Sequence, residues 1–143
     1  MNKVVLTDAC FWLGLVDPRD QYHTQSNEIS EVIENNKILF PWPCVYETIT
    51  TRLARQRERL IFFEKLLNKP EIIRIDDSEY RENAMIEVFE SNRMQGFTYS
   101  LADGVIREIL KDVNTKVDYL VTYNEKDFAD LCHKRKIKIF NQV

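Results

Sequence analysis

An alternating α/β fold around a mainly parallel sheet of about five strands is predicted by three observations. Five short runs of β-branched and aromatic residues are bounded by polar or proline residues. The segments joining them are mostly too long for hairpins. Several of those segments repeat apolar residues at helical spacing, as crossovers between parallel strands do. A length of 143 residues suits one hydrophobic core, so residues 1–143 are expected to form a single domain.

The first run, 3–7, carries Val4-Val5-Leu6-Thr7 and meets Asp8, where a helix is expected to start. A helix over roughly 22–35 follows from Ile29, Val32 and Ile33, and a strand is expected at 37–40. Pro41-Trp42-Pro43 leads into a helical stretch, roughly 44–68, in which Leu60, Phe63 and Leu67 share a face and a break is expected near Arg57. A strand at 72–75 precedes a helix over roughly 78–92, where Ala84, Val88 and Phe89 form a weaker apolar stripe. The clearest stripe is Ala102, Val105, Ile106, Ile109 and Leu110, at i, i+3, i+4, i+7 and i+8 of a helix over roughly 100–112. A strand at 119–122, a helix near 125–133 and a strand at 137–140 complete the order.

Composition excludes several classes. The chain is 44% hydrophobic and 11% aromatic, too apolar for a disordered polymer. No apolar run approaches the roughly 20 residues that cross a bilayer, so no membrane partner is expected. A net charge of -3 provides no global positive field, so any nucleic-acid binding rests on a local basic patch. With only three glycines, neither of the Gly-rich phosphate cradles can be built. Cys10, Cys44 and Cys132 are scattered and odd in number, and no h-region precedes Asp8; reduced thiols in a cytoplasm are expected. No C-x-x-C or H-x-x-x-H anchor supports zinc. Asp8-Ala9-Cys10 lacks the Asp-x-Asp of haloacid-type phosphatases, no acid pair suits a receiver, and no nucleophile elbow is present.

In an open parallel sheet, ligands collect beyond the carboxyl ends of the strands. Asp8 ends the first strand. Glu47 is expected in the first turn after the second, Asp103 in the first turn of the most amphipathic helix, and Asp127 just after the fourth strand. Three of these acids have a structural alternative. Ser100-x-x-Asp103 and Asn124-x-x-Asp127 fit helix-capping patterns, and Glu47 suits a helix macrodipole. Asp8 is different, because a carboxylate at the end of a buried strand requires hydrogen bonds or a cation. A site shared by all four acids would suit Mg²⁺ or Mn²⁺, which prefer carboxylate oxygens.

Four pieces, Val5-Leu6-Thr7-Asp8, Val45-Tyr46-Glu47, Tyr99-Ser100-Leu101-Ala102-Asp103-Gly104-Val105-Ile106 and Val121-Thr122-Tyr123-Asn124-Glu125-Lys126-Asp127-Phe128, resemble the PIN domain in order and approximate spacing. The resemblance spans nearly the whole chain. It implies a three-layer α/β/α sandwich, a Mg²⁺ or Mn²⁺ site of three or four acids, and endoribonuclease activity on RNA. It also implies similarity to VapC-type toxins, which a partner antitoxin holds inactive. An antitoxin is thus an expected protein partner, with a homodimer as a further association. Asp8, Glu47 and Asp103 match the family pattern directly. Many PIN domains carry an acid where this chain has Asn124, so the fourth ligand is lost, supplied by the Asn124 amide oxygen, or taken over by Asp127.

Arg52, Arg55 and Arg59 fall at i, i+3 and i+7, which would place a basic strip for RNA phosphates beside Glu47 if that helix is unbroken. A solvated face paired with Glu58 and Glu64 is the alternative. Trp12, Trp42, Phe62 and Phe63 would either form a groove for an antitoxin peptide or belong to the core. The competing functional reading is a catalytically weak PIN-like module that binds RNA or a protein partner and uses its acids as caps.

Overall fold

The computed structural model describes residues 2–94 and 98–143. Its five strands are β1 (Val4–Thr7), β2 (Lys37–Pro41), β3 (Ile72–Ile75), β4 (Tyr119–Val121) and β5 (Lys138–Phe140). They pair in parallel throughout, in the order β3-β2-β1-β4-β5. The central strand β1 has Val5 in register with Ile38 on one side and Tyr119 on the other, and all four of its residues are buried. An uninterrupted apolar run is what a strand covered on both faces requires.

Helices α1 (Ala9–Val16) and α2 (His23–Ile33) connect β1 to β2. Helices α3 (Trp42–Thr48), α4 (Thr51–Ala54) and α5 (Arg57–Leu67) connect β2 to β3, and α6 (Arg81–Arg93) and α7 (Leu101–Lys111) connect β3 to β4. A 3₁₀ turn at Glu125–Asp127 and α8 (Ala129–Arg135) lead into β5. Helix α1 packs on α2 and α5, while α7 packs on α6 and α8. Right-handed crossovers that run outward in opposite directions from β1 place these two groups on opposite faces of the sheet, giving the three-layer α/β/α sandwich. The direction reverses between β1 and β4, so the cleft at their carboxyl ends is the topological switch point.

Beneath that cleft the core is closely tied. Trp12 stacks on Phe40 with ring centroids 4.6 Å apart, and its Nε1–H donates to Thr7 Oγ1 at 2.8 Å. The Thr7 hydroxyl in turn donates to the Leu39 carbonyl at 2.8 Å, so β1, β2 and α1 share one satisfied buried polar group. Gly14 permits α2 to approach, since a Cβ there would lie 2.5 Å from Ser26 Oγ. That Ser26 hydroxyl is bonded to the Phe11 carbonyl and to the Tyr123 hydroxyl, joining α2 to the segment after β4.

The helical stretch expected over 44–68 is three helices. The break near Arg57 is present, and a second lies at Ile49 and Thr50. The Thr48 hydroxyl bonds back to the Cys44 carbonyl at 2.8 Å, and the Thr50 hydroxyl accepts the Leu53 N–H, starting a new turn. A β-branched run whose hydroxyls compete for backbone groups ends one helix and caps the next. Helix α3 itself begins at Trp42, earlier than expected, because Pro41 and Pro43 suit a helix entrance.

Candidate active site

Asp8 stands at the switch point, 3% exposed, as the N-cap of α1. Its Oδ1 accepts the Ala9 N–H at 2.7 Å, and its Oδ2 accepts the Thr122 hydroxyl at 2.9 Å and the Cys10 thiol at 3.5 Å. Its own N–H donates to the Val121 carbonyl at 3.1 Å, which fixes it between β1 and β4. All of these side-chain partners are neutral. Burial therefore pushes the Asp8 carboxyl up from its ordinary value; the Thr122, Ala9 and Cys10 donors pull it partly back, and the Asp127 charge adds to the rise.

Glu47 is exposed and is the sixth residue of α3, in its last turn. The expectation that it lies in a first turn is corrected by the early start of this helix. The macrodipole account fails with it, because the C-terminal end of a helix disfavours an acid. Burial of its inner part, then the charge of Asp8, raises the Glu47 pKa. Asp103 is the third residue of α7, where the Ser100 hydroxyl accepts its backbone N–H at 3.1 Å. The expected cap is therefore made, by Ser100, while the Asp103 carboxylate is left for another task. Burial first, then Asp8, Asp127 and Glu47, push Asp103 up to about 7. Asp8, Glu47 and Asp103 thus share one cleft, each carried on a different segment, and the Asp127 charge adds to the rise at Asp8 and Asp103.

Asp127 closes the 3₁₀ turn after β4, and its carbonyl accepts Arg107 Nη1–H at 2.8 Å. Arg107 also grips the Asp130 carboxylate with both terminal nitrogens, at 2.9 and 3.0 Å, and lies 5.1 Å from the Tyr99 ring centroid. It holds in place the turn that bears Asp127. Asn124 is exposed, and its side chain makes no capping bond to the turn that follows, so the expected Asn124 cap is not formed. Its backbone N–H instead donates to Thr122 Oγ1 at 3.0 Å.

Thr122 is the residue that sequence reasoning missed. Its buried hydroxyl accepts from Asn124, donates to Asp8 and lies 3.8 Å from Cys10 Sγ. A polar residue at the carboxyl end of the strand beside the switch point was the available signal. Cys44 was missed too: donor atoms of Asp8, Cys44 and Glu47 all lie within 4.8 Å of one another. Burial, then Asp8 and Glu47, hold the Cys44 thiol well above its ordinary pKa. Among the described residues no lysine or arginine pairs with Asp8, Glu47 or Asp103.

The basic strip is corrected. Arg52 lies in α4, Arg55 just beyond its end and Arg59 in α5, so none shares a helix with Glu47. Arg59 is paired with Asp17 at 3.1 Å and lines a separate hollow with Arg52 and Leu53. The aromatic set divides: Trp12 and Phe63 are core, whereas Trp42 and Phe62 are 38% and 45% exposed. No helix among the described residues is long and apolar enough to cross a membrane.

No protein-family model and no curated protein sequence matches the chain. Solved structures do share its fold. VapC20 of Mycobacterium tuberculosis, a sarcin-ricin-loop-cleaving toxin, superposes with a TM-score of 0.68 at 14% identity, covering 88% of this chain and 94% of that one. VapBC2 of Rickettsia felis, bound to a DNA fragment from its promoter, gives a TM-score of 0.62 at 16% identity over 98% of this chain and 99% of that one. FitAcB of Neisseria gonorrhoeae gives 0.59 at 15% identity over 96% of both. The shared architecture is the PIN-like α/β/α sandwich.

Proposed function

We propose that this protein is an endoribonuclease that hydrolyses RNA phosphodiester bonds with a divalent cation, Mg²⁺ or Mn²⁺, and acts as the toxin of a toxin–antitoxin pair. The observation that carries this reading is the convergence at the switch point of Asp8, Glu47 and Asp103, from three segments, with raised pKa values and, among the described residues, no lysine or arginine paired with them. Natural caps and surface acids have no reason to repel one another in this way; a cation site does. The donor set fits the group, since hard carboxylate oxygens suit Mg²⁺ and Mn²⁺ better than a thiol does. Asp8 and Asp103 would hold the ion, with Glu47 reaching it directly or through water and Asp127 or Asn124 completing the set. When bound, the cation supplies Lewis-acid charge that activates water and offsets charge on the scissile phosphate.

The chain's own residues orient that donor set. Ala9 N–H and the Thr122 hydroxyl hold the two Asp8 oxygens in one rotamer, and Arg107 anchors the turn of Asp127. Such supporting hydrogen bonds are worth about 10- to 100-fold in affinity or activity at comparable sites. The fold shared with toxins of the VapC type supports an antitoxin partner.

The experiment is cleavage of single-stranded RNA, followed on a gel, with a chelator and then with added Mn²⁺ or Mg²⁺. Cleavage is expected to stop and return, and Asp8→Asn is expected to abolish it with the protein still folded. Cleavage that persists in excess chelator sinks the proposal; RNA binding with no metal response marks a binding module instead.

A further inference from the structure

The cleft contains a donor set of mixed character. Among the described residues, one triad of possible metal ligands has its donor atoms all within 4.8 Å of one another, and it consists of Asp8, Cys44 and Glu47 rather than of carboxylates alone. Asp103 lies outside it. The sequence has no paired-cysteine or paired-histidine zinc anchor, and this triad is assembled instead across the fold. Cys44 and Glu47 are i and i+3 on α3, so their side chains share one face of that helix, and α3 packs against α1, whose N-cap is Asp8.

Local bonds bring sulfur and carboxylate together. The Ala9 N–H that holds Asp8 Oδ1 at 2.7 Å also faces the Cys44 sulfur. Cys44 is fully buried, and among the described residues no acceptor takes up its S–H. Glu47 stands exposed at the mouth, with no side-chain hydrogen bond or ion pair among the described residues, and is free to close inward. A short closure is required: Zn–S is about 2.3 Å and Zn–O about 2.0–2.2 Å, so two donors of one ion stand no more than about 4.5 Å apart. One sulfur and two carboxylates suit a borderline ion. Zn²⁺ accepts thiolate and carboxylate together, Mg²⁺ is confined to oxygen, and at a given site Zn²⁺ generally binds more tightly than Mn²⁺.

We infer that Asp8, Cys44 and Glu47 form a thiolate–carboxylate site that takes Zn²⁺ in preference to Mg²⁺ or Mn²⁺ and, when filled, blocks RNA cleavage. As the Zn–S bond forms, the Cys44 proton leaves to the solvent, and no electron changes hands. The block follows from shared ligands. An ion held by Asp8 and Glu47 against α3 leaves Asp103 out of its shell, so a hard cation that needs Asp8 and Asp103 together has lost one of them. The blocking half of the inference rests on the nuclease reading; the metal preference does not.

The test uses the whole chain, stripped with a chelator and dialysed, with Co²⁺ as a coloured substitute for Zn²⁺. Thiolate coordination gives Co²⁺ a near-ultraviolet sulfur-to-metal charge-transfer band that carboxylates alone do not. The band is expected in the parent, kept in Cys10→Ser and Cys132→Ser, lost in Cys44→Ser and Cys44→Ala, and bleached by stoichiometric Zn²⁺. Zinc-edge X-ray absorption of the parent, which needs no variant, should show one sulfur bound to the ion. In competition with a chromogenic chelator, Cys44→Ser should weaken Zn²⁺ binding by at least the roughly 10- to 100-fold that an outer partner is worth, with Mn²⁺ binding changed far less. Zn²⁺ should raise the melting temperature of the parent more than that of Cys44→Ser. In Mg²⁺, RNA cleavage by the parent should stop with stoichiometric Zn²⁺, and Cys44→Ser should need about tenfold more. No band in the parent, no sulfur at the ion, or equal Zn²⁺ affinity of the parent and folded Cys44→Ser overturns the site. Cleavage that proceeds in Zn²⁺ as it does in Mn²⁺ overturns the block. A Cys44-dependent band in a parent that no cation enables to cut RNA upholds the zinc site and refutes the nuclease; metal-dependent cleavage without the band leaves the nuclease reading standing alone.

Discussion

The first turn of α7 and its two later turns treat charge in opposite ways. Asp103, in the first turn, faces three other acids, meets no cation among the described residues, and is pushed up to about 7. One turn later Arg107 holds Asp130 so firmly that the Asp130 carboxyl is lowered, chiefly by that hydrogen bond. A further turn on, Lys111 bridges Glu87 and Glu108, and although burial opposes it, this contact keeps Glu87 below its ordinary value. Within one helix of eleven residues, acids are paired where they only support the fold and left unpaired where strand ends converge. On the proposed reading, that unbalanced charge is kept for an external cation.

The largest effect expected separates these two ends. Asp103→Asn should reduce RNA cleavage by on the order of a thousandfold, the scale of losing charge stabilisation at a reacting centre, while raising the melting temperature of chelated protein near pH 8. Arg107→Met should do the reverse in stability, costing about 2 kcal/mol for lost charged hydrogen bonds, and lower cleavage only about tenfold through a displaced Asp127. The same variant should raise the Mn²⁺ concentration needed for half-maximal rate. Equal effects of the two substitutions on both activity and melting would break the comparison.

A smaller effect concerns pH. The folded pKa values of Asp8, Glu47 and Asp103 all lie above their unfolded values, so the folded chain retains protons that the unfolded chain releases. Their contribution to stability is full below the unfolded value, near pH 4, and is lost as pH rises through about 7 for Asp103. Chelated protein should therefore melt at a lower temperature near pH 8 than near pH 5. Added Mn²⁺ should restore more stability at the higher pH, where the acids are ionised. A melting temperature that rises over this window in chelator would show that the acids are not held against their charge.

The smallest effect compares two sequence-similar caps. Ser100→Ala removes a made cap and should cost about 1 kcal/mol in chemical denaturation. Asn124→Ala removes a side chain that caps nothing and should stay within about 0.5 kcal/mol. Any larger change in metal titration for Asn124→Ala would identify its amide oxygen as a ligand.

Strand and helix order was legible because local periodicity and long connections both report on a parallel α/β layer. Asp8 and Asp103 were legible because one ends a buried strand and the other opens the clearest amphipathic helix. The basic strip was misread for a local reason. Thr48 and Thr50 use their hydroxyls on backbone groups within a few residues, and no apolar period registers the resulting break. The early start of α3 at Trp42 took Glu47 out of the expected first turn, and the same unnoticed boundary at Thr48 left it in the last one. Thr122 escaped notice because its function lies in bonds to residues 114 and 2 positions away, only one of which is near in sequence.

By itself the sequence determined the fold class, the alternation of strands and helices, and the places of Asp8 at a strand end and Asp103 at a helix start, since these follow from side-chain period and local backbone preference. It could not determine which acids face one another. That was decided by the strand order β3-β2-β1-β4-β5, which places Asp8 beside Thr122 across 114 residues of chain and brings α3 against α7. Electrostatic coupling depends on distance through space and on burial, and both exist only once the sheet has closed its order and the helices have covered its two faces.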